Sequence, residues 1–229
     1  VVGKTDSGNF VIGKPITLPN GISIKIEECK FYLSDFSLIK DDGTKVEMAE
    51  IVFFNFRNGH MALKTAHGYG ENLDLRIPPG TYSEMSFGIG VKPELNNTDA
   101  TIYPTGHPLN LYNVMYWDWA SGYRFIVLEG KTDTSSAGDW SQTEDFVYHT
   151  GTNPLYREIT LTFEPLVVKA SSSSFENQLM LELDMEKLLV SESDTINTRL
   201  DNFSHTLDNP NLALRITEHF KNAFHIHKP

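Results

Sequence analysis

Apolar residues return at every second position in short runs along much of this chain, and turn-forming residues close the runs. Ile22, Ile24 and Ile26 alternate with polar neighbours, residues 31–39 continue the pattern, and residues 157–163 alternate cleanly. Successive side chains of an extended strand point to opposite faces, so an apolar period of two describes strands that bury one face. Asp41-Asp42-Gly43 precedes the run 45–48 and supplies a residue tolerant of positive φ where a hairpin must reverse. Further strands are expected over 50–56, 72–77, 82–91, 123–130, 144–149 and 178–184. Gly88 and Gly90 within one of these runs mark a bulge or close backbone packing. The pattern predicts one all-β domain over residues 1–229, a β-sandwich or barrel-like fold with short helical additions near the C-terminus.

The helical signal comes near the end. Asn209 can cap, Pro210 suits the first helical position, and Leu212, Ile216, Phe220 and Phe224 recur every four residues. That stripe is expected to lie on the sheet. Residues 92–113 read instead as a long loop with little periodicity, and long ordered loops are often functional.

Charge narrows the partners. Lys and Arg number 19 against 30 Asp and Glu, a net charge of −11, which repels phosphate backbones and anionic headgroups. With one cysteine no intramolecular disulfide can form, and Cys29 on its strand is expected to be a small buried hydrophobe. No apolar run approaches the roughly 20 residues that span a bilayer. The chain begins at Val1 without methionine, which fits a protein trimmed of an export signal and equally a cytoplasmic protein cleaved from a tag.

Enzyme signatures are missing: no nucleophile elbow, no phosphate-binding glycine loop, no H-E-x-x-H, no paired cysteines. The expectation is a non-catalytic protein. The eight histidines are His60, His67, His107, His149, His205, His219, His225 and His227, and imidazole is a common metal ligand. His149 ends a strand beside Gly151, and His225-x-His227 would share one face if extended, or form a solvated tail. Met115-Tyr116-Trp117-Asp118-Trp119 opens an aromatic run that continues to Tyr123 and Phe125. Trp117 and Trp119 share a face in an extended segment. They read either as a core pair or, if exposed, as a stacking platform for sugar rings on a surface carbohydrate-binding or adhesion sandwich.

Several blocks follow one another in a recognisable order. They are Phe31-Tyr32-Leu33-Ser34-Asp35-Phe36-Ser37-Leu38 with its Asp-Gly turn, Ile77-Pro78-Pro79-Gly80-Thr81-Tyr82 and Phe87-Gly88-Ile89-Gly90-Val91. Next come His107-Pro108-Leu109-Asn110, the Met115–Phe125 block with Glu129-Gly130, Tyr148-His149-Thr150-Gly151, and Ala223-Phe224-His225-Ile226-His227. In this order the chain resembles the MbnP-like family of periplasmic copper-binding proteins, especially its Bacteroidetes-type lipoprotein members. The resemblance implies a periplasmic or outer-surface protein, often lipid-anchored upstream, that binds copper as Cu(I). Some relatives carry a tryptophan oxidised to kynurenine by a partner di-haem peroxidase-like enzyme, and its aniline nitrogen then ligates copper with histidines. By position Trp117, then Trp119, is the tryptophan for that role; His149 is the first histidine ligand, with His225 and His227 as further ones and Met115 as a thioether donor. Where some relatives place a histidine beside the modified tryptophan, this chain holds Tyr116 and Trp119.

Overall fold

The computed structural model describes residues 1–56, 73, 75–118, 121–170 and 178–227. Its strands in chain order are β1 (Val2–Thr5), β2 (Gly8–Asn9), β3 (Ile16–Thr17), β4 (Ser23–Lys40), β5 (Lys45–Asn55) and β6 (Gly80–Ile89). They continue as β7 (Tyr116–Asp118), β8 (Gly122–Asp133), β9 (Thr143–Gly151), β10 (Arg157–Val168), β11 (Met180–Asp184), β12 (Phe203–Ser204) and β13 (Phe224–His227). Two α-helices are α1 (Pro93–Asn96) and α2 (Pro210–Asn222). A large sheet runs β10-β6-β4-β8-β9-β12, with β3 and β5 also on β4 and β7 on β8; a smaller one runs β13-β11-β1-β2. The fold is all-β and sandwich-like. Of the two forms the sequence allowed, the closed barrel is not adopted: among the described residues the large sheet stays open, ending on β10 and β12.

The hairpin read around Gly43 is present as β4 paired with β5, and Gly43 has a φ of +83°. The apolar runs at 22–26 and 31–39, read separately, are one strand of 18 residues that bends through irregular register instead of breaking. The expected strand 72–77 falls partly outside the described residues, and residues 75–78 are not strand. His60, His67, Trp119 and the serine run 171–174 also lie outside them.

Phe31, Tyr32, Leu33 and Ser34 are all buried although they alternate in direction, so the centre of β4 is covered on both faces. On one face Phe31 meets Phe54, Phe220 and Phe224 at ring-centroid distances of 4.9, 5.1 and 6.0 Å. This is the main core, between the large sheet and α2 with β13. Cys29 lies in it, fully buried, and burial pushes its thiol pKa up. The helical stripe lands as expected through Leu212, Ile216 and Phe220, with the Asn209 side chain accepting from the Leu212 N–H. Phe224 is buried too, but from β13, because α2 ends at Asn222.

On the other face the segment 92–113 closes over Tyr32. It is largely irregular, as its sequence reads, and it is ordered. It carries α1 and two short 3-10 turns, and the Tyr32 and Tyr123 hydroxyls donate to the Pro108 and Leu109 carbonyls at 2.9 Å each. His107 is used within it, its Nδ1 accepting from the Leu109 N–H and its ring stacked on Tyr103.

Candidate functional site

Strand register assembles the site on this covered face. His149 of β9 pairs with Val127 of β8, and Glu129 pairs with Val147, so His149 and Glu129 are diagonal neighbours on one face. Arg124 pairs with Gly151 on the same face. β12 lies parallel to β9 with Ser204 opposite Tyr148, which brings His205 level with His149. The turn after β12 is pinned to β9: the Thr206 hydroxyl donates to the His149 carbonyl at 3.0 Å, and the His205 N–H donates to Asp208 at 2.7 Å. Thr206 adopts a φ of +65°, a conformation that costs a non-glycine residue about 1 kcal/mol or more and that these bonds sustain.

Four rings and two charges result. The imidazoles of His149 and His205 stack with centroids 4.6 Å apart and planes 6° from parallel. Trp117, half-buried on β7, lies 6.3 Å from the His149 ring and 6.1 Å from the His205 ring. Phe203 packs on His205 at 4.4 Å. The Arg124 guanidinium sits 5.4 Å over the indole and donates to the Val114 carbonyl at 2.9 Å. Gly151 leaves the space that Trp117 enters, since a Cβ there would lie 3.1 Å from the indole.

His149 is the buried member, 8% exposed, with Nε2 2.6 Å from Glu129 Oε1. Its Nδ1 is buried and has no hydrogen-bond partner among the described residues. A buried acceptor without a partner costs about 1–3 kcal/mol, so such an atom in a folded protein asks for an explanation. Burial is the largest influence on this ring and lowers its pKa; Arg124 and His205 act in the same direction, against the pull of Glu129. Burial thus favours the neutral imidazole, the form that binds metals.

The residues named from sequence separate. Trp117 and His149 come together. Met115 is 1% exposed within the core cluster, its carbonyl accepting from the Arg124 N–H. His225 lies on β13 in the small sheet, exposed, its Nε2 2.9 Å from Lys187 Nζ. The H-x-H segment is thus a strand and not a tail, on a different sheet from His149. His227 ends that strand, and its side chain lies outside the described residues, as does all of Trp119. His205, which the structure places beside His149, was not singled out from the sequence. It follows directly on the two-residue β12, and its place beside His149 is set by the long-range pairing of that strand with β9. No group of three or more His, Cys, Asp or Glu with metal-binding geometry occurs among the described residues. No helix among them is long and apolar enough to cross a membrane.

The family model for MbnP matches residues 3–209. MbnP from Methylosinus trichosporium has a similar fold, with a TM-score of 0.56 at 17% identity over 86% of this chain and 78% of that one. No curated protein matches the sequence.

Proposed function

The chain belongs to the MbnP family, and from that membership we propose that it is an exported, non-catalytic protein that binds copper as Cu(I) through His149 Nδ1 and His205, beside Trp117. The observation that carries this reading is the buried, unpartnered lone pair of His149 Nδ1 next to a second imidazole. Cu(I) is a soft ion, and two imidazoles with an adjoining third group suit it. Copper held here is cargo; the chain binds, orients and shields it. The two rings lie nearly parallel, so sharing one ion requires a ring to turn. His205, the less buried and the one on a turn, is the ring to do so.

Trp117 is the indole that a di-haem peroxidase-like partner would oxidise to kynurenine, adding an aniline nitrogen as third donor. Its half-buried position beside the two stacked histidines supports that role. Intact-mass analysis of protein from its native source, compared with a Trp117→Phe variant, tests it. The sugar-stacking alternative is less well supported, because the Arg124 guanidinium lies over the Trp117 ring.

The test of the main reading is a Cu(I) competition titration against a chromogenic chelator. His149→Ala and His205→Ala are expected to lose more than the roughly 10–100-fold that losing a hydrogen-bond partner of a ligand costs. His225→Ala is expected to match wild type. Equal, weak binding by wild type and His149→Ala would remove the assignment.

A further inference from the structure

We infer that Glu129 is the positioning residue of this centre: it accepts the Nε2 proton of His149 and so holds the ring in the tautomer and orientation that present Nδ1 as the donor. The inference rests on the copper reading above for the identity of the metal. A carboxylate has no hydrogen to give, so the 2.6 Å contact between Glu129 Oε1 and His149 Nε2 places the proton on Nε2. A neutral imidazole has one N–H, which leaves Nδ1 bare, and Nδ1 is the ring atom found buried without a partner among the described residues. The two observations are independent and agree.

The placement of Glu129 follows from the sheet. It stands diagonal to His149 across the β8–β9 ladder, a spacing within reach of a long side chain. Its neighbour across β4, Glu28, is tied to Lys30. Metal-binding histidines commonly donate their second N–H to a carboxylate, which fixes the ring and strengthens it as a ligand. Glu129 fits that position and, from the opposite edge of the ring, is not a ligand itself.

The experiment uses the full chain labelled with 15N and free of metal, together with Cu(I) titration of Glu129→Leu and Glu129→Gln. In wild type, imidazole 15N shifts are expected to show His149 protonated at Nε2, with a slowly exchanging proton. Glu129→Leu removes the acceptor and is expected to speed that exchange and weaken Cu(I) binding by roughly 10–100-fold. Glu129→Gln keeps an acceptor oxygen and should lose less. A wild-type ring protonated at Nδ1, or a Glu129→Leu variant that binds Cu(I) as tightly as wild type, overturns the inference. If Glu129→Leu does not fold, Glu129→Ala takes its place: an unchanged Nε2 proton exchange rate and unchanged Cu(I) affinity there overturn it equally. His149→Ala separates the two readings. Loss of copper there with none at Glu129→Leu removes only the role of Glu129, whereas no loss at His149→Ala removes the centre.

Discussion

At position 151 any side chain would meet two obstacles at once. A Cβ there would lie 2.6 Å from the Tyr123 carbonyl oxygen and 3.1 Å from the Trp117 ring. The first is backbone and cannot yield cheaply; the second is the indole that faces both imidazoles. Gly151→Ala is therefore expected to destabilise the protein by about 1–3 kcal/mol, the usual cost of overpacking, as read by urea denaturation. It should also weaken Cu(I) binding if Trp117 moves away from His149. A variant as stable as wild type would show that the strand absorbs the methyl group. This residue was legible in part: Gly151 two places after His149 suggested a strand-end site. Trp117 was legible as an aromatic in an extended segment, but its half-buried setting was not. Nor was the burial of Met115 in the core, because alternation gives the direction of a side chain relative to its neighbours and not what covers it.

Among the elements, α2 was the most readable, since its start is encoded within a few residues. The Asn209 side chain accepts from the Leu212 N–H at 3.2 Å, with Pro210 in the first turn. Asn209→Ala is expected to cost about 1 kcal/mol in thermal or urea unfolding, with Asn209→Gly costing only a few tenths. Phe224 shows the limit of such reading. It keeps the four-residue spacing yet belongs to β13, because the helix stops before it and the chain turns into the small sheet, where it still reaches Phe31 and Phe87. The 92–113 segment shows another limit. It lacks periodicity because its order comes from hydroxyls of Tyr32 and Tyr123 bonding its carbonyls, and such bonds leave no period in the segment that receives them. Gly88, read as marking a bulge or close packing of backbone, makes room instead for a side chain: a Cβ there would overlap that of Tyr156.

In the whole molecule one ion network ties the segment before β12 to α2. Arg215 holds Asp194 through Nε at 2.8 Å and a terminal nitrogen at 2.9 Å, and reaches Asp201 at 3.1 Å; His219 Nε2 lies 3.1 Å from Asp194. Arg215 first, then His219, hold the Asp194 pKa down from 3.8 to about 2. A carboxyl lowered in the folded state contributes stability that is complete above its unfolded pKa and is lost as pH falls through the folded one. Stability should thus decline between about pH 4 and pH 2, and Asp194→Asn should flatten that decline while lowering stability at neutral pH, as followed by denaturant midpoints against pH. By itself the sequence determined most of the longer strands, the Gly43 hairpin, the helix cap and the family resemblance, because each is written in residues close together along the chain. Only the tertiary structure decided that His205 stands beside His149, that Glu129 takes the far edge of that ring, and that His225 lies on another sheet. Those outcomes depend on parallel and antiparallel registers between strands distant in sequence, and register is fixed by which faces the completed core buries. Met115–Trp119 belongs to both: its sequence carries part of the family resemblance, and within it the fold brings Trp117 beside both His149 and His205.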